Sequence, residues 1–137
     1  MSKKKREQKA VDKQLDRALA VYRDWQAAIV PDFHVTFYCS YRGEQPRKDG
    51  YCTAMWVVPR WEYKKAAIFV VASETKEATD DVFEGMVVHE LMHARLSELD
   101  RRKGKHAVMH EEHVCEELTW AFLRTRNYER TSRTEAE

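Results

Sequence analysis

The sequence lacks any apolar stretch long enough to cross a bilayer. Its basic start is not followed by the apolar core of a secretion signal either, because residues 11–29 are amphipathic and heavily charged. A membrane partner is therefore not expected, and a cytoplasmic site of action follows by default. A charge imbalance is missing too: 24 Lys and Arg face 23 Asp and Glu, for a formal net charge of +1. Such a balance exerts no global pull on polyanions, so nucleic acid is not an expected partner. Two basic runs, Lys3-Lys4-Lys5-Arg6 and Arg101-Arg102-Lys103-Gly104-Lys105, read as a frayed terminus and a solvated loop. Cys39, Cys52 and Cys115 are odd in number and include no C-x-x-C pair, which excludes a disulfide framework and a zinc ribbon. They read as reduced, partly buried thiols. No internal repeat is present.

What is there suits one modest core. A chain of 137 residues, 43% apolar and 11% aromatic, falls well outside the disordered class. It reads as a single domain over 1–137, with residues 1–8 and 130–137 as frayed tails. Val11, Leu15, Ala18, Tyr22, Trp25 and Ile29 recur at helical spacing and form one stripe, which Pro31 ends. Phe33, Val35, Phe37 and Cys39 then alternate with polar neighbours, predicting a strand with one buried face. A loop or turn over 42–50 leads to strands near 53–58 and 66–72, with Pro59 required at a strand end or an edge. The run from Ala66 to Val71 is apolar on both faces, so that strand should be the most covered.

Asp81 with Glu84 three residues on predicts a capping box that opens a helix over about 82–99. Apolar residues from Val82 to Leu99 surround most of its circumference, leaving Glu84, Arg95 and Glu98 as the polar side, so this helix should be central and largely buried. A last helix spans roughly 106–126. The order is helix, three strands, two helices: an α+β domain whose sheet is expected to be mainly antiparallel.

The buried helix carries His89-Glu90-Leu91-Met92-His93, an H-E-x-x-H motif. Four residues of α-helix turn about 400°, so both imidazoles project from one face and can grip one ion. Glu90 lies about 100° around, too far to ligate beside His89 but close enough to take a proton from water held at the metal. With six histidines in the chain, roughly 0.03 such matches are expected by accident. On the last helix the wheel turns Glu112 and Glu116 toward the inner face and sets Glu111 at its edge. Buried carboxylates need a partner, and a divalent cation with its histidine ligands would be one. Burial alone does not choose between Glu112 and Glu116 as a third ligand, and His110 and His113 come next in line.

An H-E-x-x-H helix followed by Glu112-His113-Val114-Cys115-Glu116 resembles the gluzincin branch of zinc metallopeptidases. The strings around both motifs also resemble small metallopeptidases often encoded by phages and prophages, which would place the protein in a host cytoplasm. The resemblance covers the second half of the chain; the metzincin pattern is excluded, since it would need Gly and His where Leu96 and Leu99 stand. It implies a minimal zincin-like fold and a zinc-dependent peptidase acting on a peptide or protein substrate. It further implies one Zn²⁺ per chain on His89, His93 and Glu112, Glu90 as general base, and Glu116 holding a histidine ligand from behind. Two other classes fit the same residues: a zinc-binding regulatory domain without turnover, and a nucleic-acid-associated metallopeptidase resting on the two basic runs.

Overall fold

The computed structural model describes residues 1–43, 53–99 and 105–136, with side chains described for all of these except 105–108 and 128–136. Helix α1 (Lys3–Ile29) follows from the stripe: Ala18, Trp25 and Ile29 are buried, while Leu15 and Tyr22 pack against the same core. The Ser2 side chain caps it by accepting from the Lys5 N–H at 3.2 Å. The helix therefore takes in the basic run that was expected to fray. Pro31 follows the last turn and cannot extend it.

Three strands come next: β1 (His34–Ser40), β2 (Met55–Arg60) and β3 (Lys65–Val71). Their order is β1-β3-β2, with β1 parallel and β2 antiparallel to β3. The expectation of a mainly antiparallel sheet is thus corrected to a mixed one. An antiparallel meander would put β2 in the centre, where Pro59 has no N–H to give to a ladder. In the observed order β2 is an edge and the doubly apolar β3 takes the middle, as the sequence requires. A 3₁₀ turn (Trp61–Tyr63) reverses the chain between β2 and β3, closed by Lys64 at φ 53°. The expected loop over 42–50 falls, beyond Arg42 and Gly43, outside the described residues, as do Cys52 and the Gly104 break.

One face of the sheet, carrying Val35, Phe37, Met55, Ile68 and Val70, is buried against α1 and helix α3 (Asp80–Leu96). A single-turn helix α2 (Ala72–Thr75) links β3 to α3. The cap of α3 is Thr79, whose side chain accepts from the Val82 N–H at 3.3 Å. This replaces the expected Asp81–Glu84 box and leaves Asp80 and Asp81 to complement the helix dipole. The helix is central, in contact with α1, β2 and helix α4 (Lys105–Ala136). Its burial is less complete than the wheel implied: Phe83, Val87, Val88, Leu91 and Met92 are buried, but Val82 is 56% and Leu99 76% exposed. Leu99 lies past the helix in a 3₁₀ turn (Ser97–Leu99). Helix α4 continues to Ala136, beyond the expected end near 126 and through the segment expected to fray. Among the described residues no helix is long and apolar enough to cross a membrane.

The start of α3 is tied to α1 by one cation. The Arg17 guanidinium donates to Gln14 Oε1 and to the Ala78 carbonyl, each at 2.9 Å, and lies 4.3 Å above the Phe83 ring. Trp25 Nε1 adds a second tie, donating to Glu84 Oε2 at 3.1 Å. Arg17→Ala should lower stability by about 1.5–3 kcal/mol, the range for hydrogen bonds made by a charged donor. Asp80, whose side chain is 98% exposed in its ion pair with Arg17, should be replaceable by Ala with a much smaller shift of the urea midpoint. An unshifted midpoint for Arg17→Ala would show that the clamp contributes nothing.

Candidate metal centre

His89 and His93 stand one turn apart on α3, as the i, i+4 spacing demands. Their Nε2 atoms face each other at 3.1 Å. The Glu112 carboxylate from α4 straddles them, with Oε1 at 2.7 Å from His93 Nε2 and Oε2 at 3.3 Å from His89 Nε2. Ligands at 2.0–2.1 Å on a tetrahedral ion are separated from one another by about 3.3 Å. The two ring nitrogens and the carboxylate thus lie at or slightly inside that spacing, and the group could hold a metal ion.

The opposite ring nitrogens explain why these atoms face inward. His93 Nδ1 hydrogen-bonds Glu111 Oε1 at 2.8 Å. A carboxylate accepts only, so Nδ1 carries the proton and Nε2 keeps its lone pair. His89 Nδ1 lies 3.1 Å from Glu116 Oε2. The contact is within ion-pair range but poorly aligned, so this buried nitrogen lacks a true hydrogen bond. Trp120 Nε1 donates to the other oxygen of Glu116 at 2.9 Å and steers that carboxylate. His93 Nε2 thus turns a lone pair toward the Glu112 carboxylate, and His89 Nε2 faces both groups. A proton, carried on His89 Nε2 or shared among these groups, or a metal ion reconciles them.

The electrostatics agree. Burial opposes charge on His93, yet the hydrogen bond it donates to Glu111 and the charges of Glu112, Glu90 and Glu111 outweigh it and raise its pKa. Glu90 is pushed up to about 7, chiefly by burial and further by Glu112, with His93 pulling the other way. The buried Cys115 thiol is raised to about 12 by burial and by the surrounding carboxylates, Glu111 first. It sits with Glu111 behind His93, where His93, Glu111 and Cys115 form a second close group around the other ring nitrogen. A thiol that resists ionisation so strongly serves there as a small apolar packing group.

The structure brings together all five site residues read from the sequence, but it corrects their burial. Glu112 and Glu116 do not lie in the middle of an inward face: their side chains are 57% and 55% exposed. Helix α4 buries Cys115, Thr119 and Leu123 in its seam with α3, and both acids flank that seam at the rim, where they stay hydrated. Glu111, set at the edge by the wheel, is the better covered carboxylate, 22% exposed, and makes the best-aligned contact to a histidine. Its position directly before Glu112 was the only available signal. His110 and His113 are exposed and take no part in the described cluster.

A cleft of about 620 Å³ opens onto the cluster. His89, Glu90, Glu112 and Glu116 line one part of it; Met55, Val82, Met86, Trp120 and Leu123 make it apolar elsewhere, and Arg124 adds a cation. No family model, curated protein or solved structure matched this chain.

The position of Glu90 has a measurable consequence for the metal-free protein. Its folded-state pKa of about 7 lies above the ordinary 4.5, so the folded chain holds a proton that the unfolded chain releases. The associated stability is complete below pH 4.5 and is lost as the pH rises through 7. In chelator, Glu90→Gln should therefore gain on the unmodified protein between pH 5 and pH 8, by on the order of 1–3 kcal/mol. Parallel stability–pH curves for the two proteins would contradict this assignment.

Proposed function

We propose that this chain is a zinc-dependent peptidase of minimal zincin-like architecture, with Glu90 as its general base. The observation that carries the reading is the convergence of His89 Nε2, His93 Nε2 and the Glu112 carboxylate at the wall of a cleft that Glu90 also lines. Two imidazoles and one carboxylate suit a borderline-soft ion, which favours zinc over magnesium or calcium. When bound, zinc would polarise the scissile carbonyl and make water nucleophilic near neutral pH.

The chain's own residues supply the rest. Glu111, hydrogen-bonded to His93 Nδ1, and Glu116, 3.1 Å from His89 Nδ1, would steady the two imidazoles from behind with each Nε2 turned to the metal site. Glu90 belongs to the same helix but points to the cleft, where its carboxylate takes the proton of the attacking water and passes it to the leaving amine. Its elevated pKa suits it to both halves of that transfer. Arg124 places positive charge in the same cleft, available to a developing oxyanion. A purely structural zinc site has no use for Glu90, and this favours an enzyme over a binding domain without turnover.

Protein purified without added metal should carry one zinc per chain by elemental analysis. Under a competing chelator, Glu112→Ala should lose tight zinc binding. Glu111→Gln and Glu116→Gln should weaken it about 10–100-fold. A Glu116 variant much weaker than the Glu112 variant would exchange the two roles.

Glu90→Gln should keep its zinc and lose about 10²–10⁴ in the rate of peptide cleavage across a mixed peptide library. Undiminished cleavage would remove Glu90 from the mechanism. Zinc uptake with no cleavage by the unmodified protein would leave a zinc-binding domain without turnover.

A further inference from the structure

The sheet has a second face, turned away from α1 and α3, and its side chains follow a pattern unrelated to the metal centre. Tyr38 of β1, Phe69 of β3 and Trp56 of β2 are directly paired across the strands. Their rings stack in sequence: Tyr38 on Phe69 at 5.3 Å and 18°, and Phe69 on Trp56 at 5.1 Å and 11°. The stack crosses the whole sheet, ends on both edge strands, and leaves Tyr38 52% exposed. Four residues away along β1, at about 13 Å, a second row crosses the same face: His34, Lys65 and Arg60, again directly paired and all exposed.

That row is electrostatically odd. Like charges placed directly opposite destabilise a sheet, and Lys65 stands opposite Arg60 with neither in an ion pair among the described residues. The three strands contain no Asp or Glu at all. The neighbouring Lys64, by contrast, is engaged with Asp32 and Glu98. A net charge of +1 is a sum over the chain and hides this local excess.

We propose that this face binds single-stranded nucleic acid, with bases extending the Tyr38–Phe69–Trp56 stack on the outer faces of Tyr38 and Trp56, and phosphates meeting Lys65 and Arg60. Aromatic rings and exposed cations on one sheet face match that ligand, because every base has a π-face and every linkage a negative charge. An apolar peptide or a second copy of the chain would use the rings but leave the facing cations unrelieved. A duplex hides its bases in the stack and cannot use the rings. The site is independent of the zinc reading and stands whether or not that reading holds.

Fluorescence anisotropy with labelled oligothymidylate, oligouridylate and a DNA duplex of equal length tests the proposal. Both single strands should bind in low salt and the duplex more weakly; the relative affinities of the two single strands identify DNA or RNA as the preferred form. The log–log salt slope should be about −1.4, for two phosphate contacts on a single strand. Tyr38→Ala and Trp56→Ala should each weaken binding about 5- to 100-fold, while Tyr38→Phe and Trp56→Phe preserve it. Lys65→Glu should weaken binding and flatten the slope. Each variant should keep the circular-dichroism spectrum and zinc content of the parent.

Absence of binding at low salt would overturn the proposal, as would equal affinity for the duplex. So would unchanged affinity in Tyr38→Ala and Lys65→Glu, which would transfer any binding to the basic run at Lys3–Arg6. A Tyr38→Ala change that alters only the sedimentation mass would make the face a contact between copies, and would overturn it equally.

Discussion

Two imidazole Nε2 atoms held 3.1 Å apart, with a carboxylate across them, coexist only with a proton or a metal ion between them. Much of this fold serves to keep that arrangement in place. The i, i+4 spacing supplies the pair of rings, but a bare helix would let each imidazole rotate into water. Glu111 prevents this for His93 by accepting from its Nδ1, Glu116 lies 3.1 Å from His89 Nδ1, and both come from α4. The candidate metal site is thus a property of the α3–α4 seam, where Cys115, Thr119 and Leu123 are buried.

The remaining elements are the support of α3. The sheet buries one face against it, and α1 lies alongside, pinned by Arg17 and Trp25. This packing also explains the state of Glu90. It shares a helix with buried Leu91 and Met92 and has acids nearby, so its carboxyl is forced toward neutrality. One set of contacts therefore positions the histidines and tunes the acid between them. The side of the sheet turned away from α3 and α1 carries the aromatic and cationic rows.

Local patterns in the sequence determined a good deal. Helical stripes, strand alternation and the H-E-x-x-H spacing are properties of consecutive residues, and each survived folding: α1 buries its stripe, β1 buries Val35 and Phe37, and His89 meets His93. Pro59 restricted β2 to an edge for a reason visible in a single residue, its missing N–H. What only the tertiary structure decided was anything that depends on how one element is set against another. Strand alternation is identical in parallel and antiparallel pairings, so the mixed sheet was not legible from it. A helical wheel gives the angles between side chains but not the rotation of α4 against α3. That rotation moved Glu112 and Glu116 to the rim and brought the less conspicuous Glu111 behind His93. The cross-strand rows of aromatics and cations were hidden for the same reason, since Tyr38, Trp56 and Phe69 become neighbours only once the register of all three strands exists.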